Sequence, residues 1–292
     1  MLLIMLCPTL QSRRPEAFVR YLYQQLILCP AAARPRSLAE AKGPGLRHET
    51  AELSLIGDRE QNQDRVLVAE NRSGTLLAVL DGMGGHAEGE RAAEVAIESM
   101  RESFDRVPDS LTDTTGFLNH MVQAAHEAVV NIGNNLSVEH KPRATCAVCL
   151  VHQGRAWWAH VGDARIYLLR NGAVVERTRD HSHVEVLLQE GLIMPEEVSS
   201  HPMRHYVEAC LGGESALPDL SLPNFRGVQT GDILLVCSDG LWSGLTEEHI
   251  ASSCDPEVPV AEWLGQLAER AVSANGPHSD NTTAAALRVQ PG

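Results

Sequence analysis

Nine segments between residues 51 and 289 share one signature: five to eight apolar or alternating residues, most of them closed off by Gly, Asn or Asp. They are 51–56, 65–69, 75–80, 145–152, 156–161, 165–170, 173–177, 232–237 and 283–289. Runs of this length and pattern read as β-strands. Asn171-Gly172 separates two of them and suits a two-residue hairpin, where both turn residues need positive φ. Helical spacing appears in 88–104, 116–132, 183–190, 246–252 and 259–273. In 88–104 the stripe is Ala92, Val95, Ala96, Ser99 and Met100; in 259–273 it is Trp263, Leu264, Leu267 and Ala271. Strands come in hairpin-like groups and helices in pairs. This order predicts an α+β fold and not the strict strand–helix alternation of a parallel sheet. Trp157-Trp158 lie in a strand, so at most one ring enters the core.

Charge and cysteine content exclude several classes. The 292 residues carry a net charge of −14 and a pI near 5.3, which disfavours a polyanionic partner such as nucleic acid. Seven cysteines at irregular spacing, several in apolar runs, argue for a reducing compartment. Cys146 and Cys149 form a lone C-x-x-C; in a strand they point to opposite faces, so a zinc site is not expected. No run reaches the ~18 apolar residues of a membrane span. The apolar start, residues 1–10, precedes Arg13 and Arg14, the reverse of a signal peptide. The expectation is a cytoplasmic protein without a membrane partner. Residues 1–46 are broken by Pro and Gly, with one short helix candidate at 17–28; they read as an extension ahead of a domain spanning 47–292.

Two of the apolar strands end alike. Residues 75–80 run into Asp81-Gly82, and 233–237 into Ser238-Asp239-Gly240. Two further acids adjoin Asn in polar turns: Asn62-Gln63-Asp64, and Ser279-Asp280-Asn281. Any single such pair is ordinary turn chemistry. If the four ends converge, their charges repel, and burial makes each ionised form costly. Hard divalent cations resolve that conflict: Mg²⁺ and Mn²⁺ take carboxylate, carbonyl and water oxygens. Two such ions ~3.5–4 Å apart can activate water and clamp a phosphoryl group for in-line attack.

The ordered set Gly57-Asp58-Arg59, Asn62-Gln63-Asp64, Asp81-Gly82-Met83-Gly84-Gly85-His86 with Gly89-Glu90, Gly162-Asp163-Ala164-Arg165, Ser238-Asp239-Gly240 and Ser279-Asp280-Asn281-Thr282 resembles the PPM, or type 2C, metal-dependent protein serine/threonine phosphatases in their bacterial single-domain form. The resemblance covers residues 47 to the end. It implies a central antiparallel β-sandwich flanked by pairs of helices, four layers in the order α-β-β-α. It implies two Mn²⁺ or Mg²⁺ ions per active site. Asp81 would bridge them, the Gly82 carbonyl would join, Asp239 and Asp280 would complete the first site, and Asp64 would orient the attacking water. Arg59 would hold the substrate phosphate, Asp163 would serve a third, weaker metal site, and the residues between 180 and 213 would form a flap beside the cleft. Partners so implied are phosphorylated protein substrates and an opposing Ser/Thr protein kinase; the chain itself is expected to be a monomer.

Some positions depart from the family pattern. Gln63 replaces a common Glu, removing a carboxylate from the second metal. Met83 stands where animal members have a His acid; bacterial members often carry Met. His86 is a weak alternative acid. Ala164 replaces the usual Ser, and Arg143-Ala144-Thr145 an unlike strand start. Among the flap histidines His181, His183, His201 and His205, His205 is the one expected near the third metal. The alternatives to a protein phosphatase are a catalytically silent phosphoprotein-binding module, for which Gln63 is the mild support, and a hydrolase of small phosphate monoesters. The chain's negative charge also predicts preferred target sites with basic neighbours.

Overall fold

Alternation along one strand accounts for the layering. The computed structural model describes residues 47–291, except 84–85, 110, 199, 214–215, 219 and 221–224, and only the backbone of 86–87. Strand β3 (Gly74–Met83) has apolar side chains on both faces. Leu76, Ala78 and Leu80 join Ala96, Met100, Met121 and Val122 in one apolar layer beneath two helices, α1 (His86–Asp105) and α2 (Thr114–Ile132). Leu77 and Val79 point the other way, to Ile166, Leu168, Leu234 and Val236 of a second sheet. Successive side chains of a strand must face opposite sides, so a run of apolar residues is a strand covered twice.

The second sheet has five antiparallel strands in the order β1-β12-β11-β7-β8. These are β1 (His48–Leu55), β12 (Thr282–Val289), β11 (Ile233–Cys237), β7 (Arg165–Arg170) and β8 (Ala173–Arg177). The sheet holding β3 has the order β10-β6-β5-β3-β4-β9, with β2 (Asp64–Asn71) also paired to β3. Its other members are β4 (Arg143–Ala144), β5 (Cys146–His152), β6 (Arg155–Val161), β9 (Leu211–Gly212) and β10 (Arg226–Gly227). The far face of the five-stranded sheet, through Leu235, Cys237, Ala284 and Ala286, is covered by Trp263, Leu264, Leu267 and Ala271 of α7 (Val260–Asn275). Three apolar layers separate four structural ones, helix, sheet, sheet, helix, as the sequence resemblance implies. Between β8 and β9 lie α3 (His183–Gln189) and α4 (Pro195–Val198); α5 (Asp239–Trp242) and α6 (Glu247–Ser252) follow β11.

All nine expected strands and all five expected helices are present, with ends shifted by up to three residues. Strands β4, β9 and β10 and helices α4 and α5 were not expected. They span two or four residues, too few for any periodicity to register. The buried stripe of α1 includes Ala93, Ile97 and Phe104, while Val95 is only half-buried and Ser99 lies at the margin. Trp158 is buried and Trp157 half-buried, as alternation requires. The segment 1–46, with its expected helix, lies outside the described residues.

The layer between the sheets sets stability. Leu77 is fully buried there, whereas Val175 on the edge strand β8 is 49% exposed. Leu77→Ala should destabilise by about 2–5 kcal/mol through lost burial and a residual cavity. Val175→Ala should stay within about 0.5 kcal/mol. Urea unfolding midpoints at unchanged slope measure both; equal effects would refute the layer assignment.

Candidate metal centre

The strand directions bring the singled-out acids to one end of the sandwich. Asp64 opens β2 directly opposite Asp81 near the end of β3. Asp81 continues the Leu77–Val79 parity, on the face toward the second sheet. Cys237, the last residue of β11, pairs with Arg165, the first of β7, so Asp239 and the Asp163 turn lie at that same end. Asp280 stands two residues before the start of β12, which pairs with both β11 and β1.

Short polar links hold this end together. The Ser238 hydroxyl donates to Asp64 Oδ2 at 2.7 Å, joining the two sheets. Asn281 accepts from the Gln63 amide through Oδ1 at 2.8 Å. Its Nδ2 donates to the carbonyls of Ile56 at 2.8 Å and Gln61 at 3.0 Å, fastening the 56–63 loop. Asn62 Oδ1 accepts from the Asp64 amide at 3.0 Å. The Asp81 carbonyl accepts from the Thr145 amide at 2.8 Å, and the Gly82 amide donates to the Gln63 carbonyl at 3.2 Å. A Cβ on Gly82 would lie 2.0 Å from the Gly89 carbonyl oxygen, so only glycine lets the start of α1 rest on the end of β3. Arg65 pins the same contact from outside, donating to Glu94 and, at 2.8 Å, to Glu90.

Burial and like charge dominate the electrostatics. Asp81 and Asp239 are pushed well above the ordinary carboxylate range, first by burial and then by neighbouring aspartates. For Asp81 those neighbours are Asp64, Asp239, Asp163 and Asp280. Burial raises Asp64 to about 7, against hydrogen bonds from Ser238 and Thr283 that lower it. Asp163 rises to about 6, through burial and the charge of Asp180. Asp280 is occupied otherwise: its Oδ2 accepts from Arg59 at 2.6 Å and its Oδ1 from the Asn281 amide at 2.8 Å.

The structure therefore brings Asp64, Asp81, Asp163, Asp239 and Asp280 within each other's fields. Among the described residues, however, no three His, Cys, Asp or Glu side chains stand in a ready-made ligand cluster. The donor set nonetheless suits hard cations. It is all carboxyl oxygen, and burial opposes the charge of Asp64, Asp81, Asp163 and Asp239. A divalent ion relieves that repulsion at source. Of the other residues singled out, Met83 pairs with Arg143 across β3 and β4, and the side chain of His86 lies outside the described residues. His205 lies within the electrostatic reach of Asp280 and Arg59. His183 bonds Glu208, His201 accepts from the Met203 amide, and His181 stacks on His160. The cross-sheet role of Ser238 and the loop-fastening role of Asn281 were not anticipated, though both stand beside expected acids. Trp242 was missed altogether; its indole donates to the Asp163 carbonyl at 3.0 Å.

Residues 54–279 match the sequence profile described as protein phosphatase 2C. The serine/threonine protein phosphatase PstP of Mycobacterium tuberculosis is 35% identical over 245 residues, covering 80% of this chain and 45% of that protein. The chain thus spans under half of the mycobacterial relative. The protein phosphatase PhpP of Streptococcus pneumoniae is 31% identical over 246 residues, covering 82% of this chain and 97% of that one. A crystal structure of the PstP catalytic domain in complex with two manganese ions superposes with a TM-score of 0.70 at 32% identity, over 84% of this chain and 99% of that one. The layers, the acidic end of the sandwich and these matches agree: the chain belongs to the protein phosphatase 2C family of serine/threonine protein phosphatases.

Proposed function

We propose that this chain hydrolyses phosphoserine and phosphothreonine in proteins. The observation that carries this reading is the buried group Asp64, Asp81, Asp163 and Asp239, gathered at one end of the sandwich by strand register, in which Asp64, Asp163 and Asp239 all oppose the ionisation of Asp81. In this reading Asp64, Asp81, Asp239, Asp280 and the Gly82 carbonyl hold two Mn²⁺ or Mg²⁺ ions, and Asp163 serves a third, weaker site. When bound, the ions supply the Lewis acidity that activates water and neutralises phosphoryl charge. The chain supplies the rest. Ser238 holds the Asp64 carboxyl in place by donating to its Oδ2. Arg59, 56% exposed and held by Asp280, is the cation positioned to leave that pairing for a substrate phosphate, whose oxygens a planar guanidinium fits in pairs. Fixed charges and dipoles aimed at phosphorus then need no reorganisation in the transition state.

The partners are phosphorylated proteins, and the kinase that opposes them is a Ser/Thr protein kinase. A monomer in the cytoplasm fits this reading. Cys146, Cys149, Cys237 and Cys254 are free thiols, and no described helix is long and apolar enough to cross a membrane.

Three outcomes test this. Asp239→Asn should lower turnover of a phosphothreonine peptide with Mn²⁺ by at least about a thousandfold while the circular dichroism spectrum is unchanged. Chelation should do the same to the unaltered chain. Turnover of para-nitrophenyl phosphate without the peptide would favour a small-ester hydrolase, and turnover of neither a silent binding module.

The second concerns pH. The folded metal-free chain holds protons on Asp64 and Asp163 from the ordinary carboxylate range near 3.8 up to about 7 and about 6, where the unfolded chain has lost them. Their contribution to stability is therefore present on the acid side and lost as pH rises through that window. Ions require the deprotonated ligands. The melting-temperature gap between Mn²⁺-saturated and chelated protein should widen from pH 5 to pH 8, and a constant gap would contradict the ligand assignment.

The third uses the net charge of −14. Phosphopeptides with basic neighbours should show higher kcat/KM than acidic ones at low salt, converging as salt rises. Equal values at low salt would end this claim.

A further inference from the structure

Trp242 ends the short helix that Asp239 begins, and its indole touches two other parts of the chain. The Nε1–H donates to the Asp163 carbonyl at 3.0 Å, and the ring lies beneath the Arg165 guanidinium, 3.5 Å from its carbon. Arg165 in turn donates twice to Asp180, at 2.7 Å from Nε and 2.7 Å from Nη2, and once to the Tyr167 hydroxyl at 3.1 Å. Asp180 opens the segment that runs out through α3 and α4 and returns at β9. The root of that segment is closed by three backbone bonds: the His181 amide to the Gly162 carbonyl at 2.8 Å, the His183 amide to Tyr206 at 2.9 Å, and the Glu208 amide to His181 at 2.8 Å.

The pieces meet at one joint. The Asp163 turn is gripped by the indole through its carbonyl, and the flap root bonds the neighbouring Gly162. A guanidinium with two of its three nitrogens committed to one carboxylate has little rotational freedom, and an aromatic face beneath it removes more. Beyond the root the flap carries exposed apolar side chains: Leu192 is 64%, Met194 62% and Tyr206 53% exposed. A root that loosened would leave such a surface without a fixed relation to the acidic end of the sandwich.

We propose that Trp242 is a positioning residue: through Asp163 and through the Arg165–Asp180 pair it fixes the flap root to the aspartate-bearing end of the fold, so that a protein substrate meets flap and cleft in one fixed register. This rests on the phosphatase reading for its consequence, and on geometry alone for the joint. Small esters, which do not span the flap, gain nothing from it.

The test separates joint from activity. Hydrogen exchange on the chelated protein reads the joint directly, because His181, His183 and Glu208 amides exchange only when the root opens. W242L should speed their exchange by roughly fivefold or more, while the core amides of β3 change little. With Mn²⁺ it should raise KM for a phosphothreonine peptide about fivefold and leave kcat/KM on para-nitrophenyl phosphate within about twofold. W242F keeps the stack on Arg165 and loses only the bond to Asp163, so exchange at the root should rise, but by less than in W242L; a rise equal to that of W242L would overturn the role of the stack. R165K keeps the charge but loses fork and stack, and should match W242L. Unchanged exchange in W242L, or equal losses on both substrates, overturns the proposal. If W242L does not fold, R165K decides: fast exchange at the root supports the joint and unchanged exchange overturns it. Should the unaltered chain hydrolyse neither substrate, the phosphatase reading fails and the exchange arm still judges the joint.

Discussion

Like charges held close in a poorly solvated place constrain this molecule more than any other feature. Asp64 and Asp81 face each other across two paired strands, and Asp239 and Asp163 approach from the neighbouring sheet and turn. Left alone, such a group would splay apart or take up protons. Here the backbone denies it the first option. Each aspartate sits at the end of a strand or beside one, and those strands are anchored by apolar residues that are nearly all fully buried. The free energy of three apolar layers is set against the repulsion of a few carboxyl groups, and the layers hold.

The polar links at the site follow from the same conflict. Ser238 is the first residue past an apolar strand, and its side chain reaches the opposite sheet instead of capping its own helix. Asn281 spends its amide on two carbonyls and an N–H of a loop over 200 residues earlier in sequence. These bonds make a network in which every member is satisfied from within the chain, which is what keeps buried polar groups tolerable. Arg59 is the exception in character, an exposed cation resting on Asp280. It is the one member of the group placed to exchange partners without disturbing the core.

Much of this was legible in the sequence. Period-two and period-three-to-four patterns gave the long elements, because each long element is repeated evidence for itself. The two-residue strands β4 and β9 left no pattern, yet they extend the sheet at Gly82–Met83, beside the site. Ala92, Ala96 and Met100 of α1 are buried as expected, but Ala93 and Ile97 take the places given to Val95 and Ser99, since neighbouring alanines are apolar without saying which way they face. The meeting of the aspartates was not derivable from spacing at all; motif order suggested it, and strand register supplies the geometry. Trp242 left no signal, because an aromatic after Asp-Gly-Leu looks like any core residue until its neighbours are known.

The turns tell a complementary story. Gln153-Gly154 and Asn171-Gly172 adopt left-handed backbone at the tips of the β5–β6 and β7–β8 hairpins. Both tips lie at the end of the sandwich opposite the aspartates, as antiparallel register dictates. The described sandwich therefore has an aspartate pole and a turn pole. Insertions, fusions to another module or a chemical tether at these hairpin turns would change what the chain is joined to at the full length of the strands away from the aspartates.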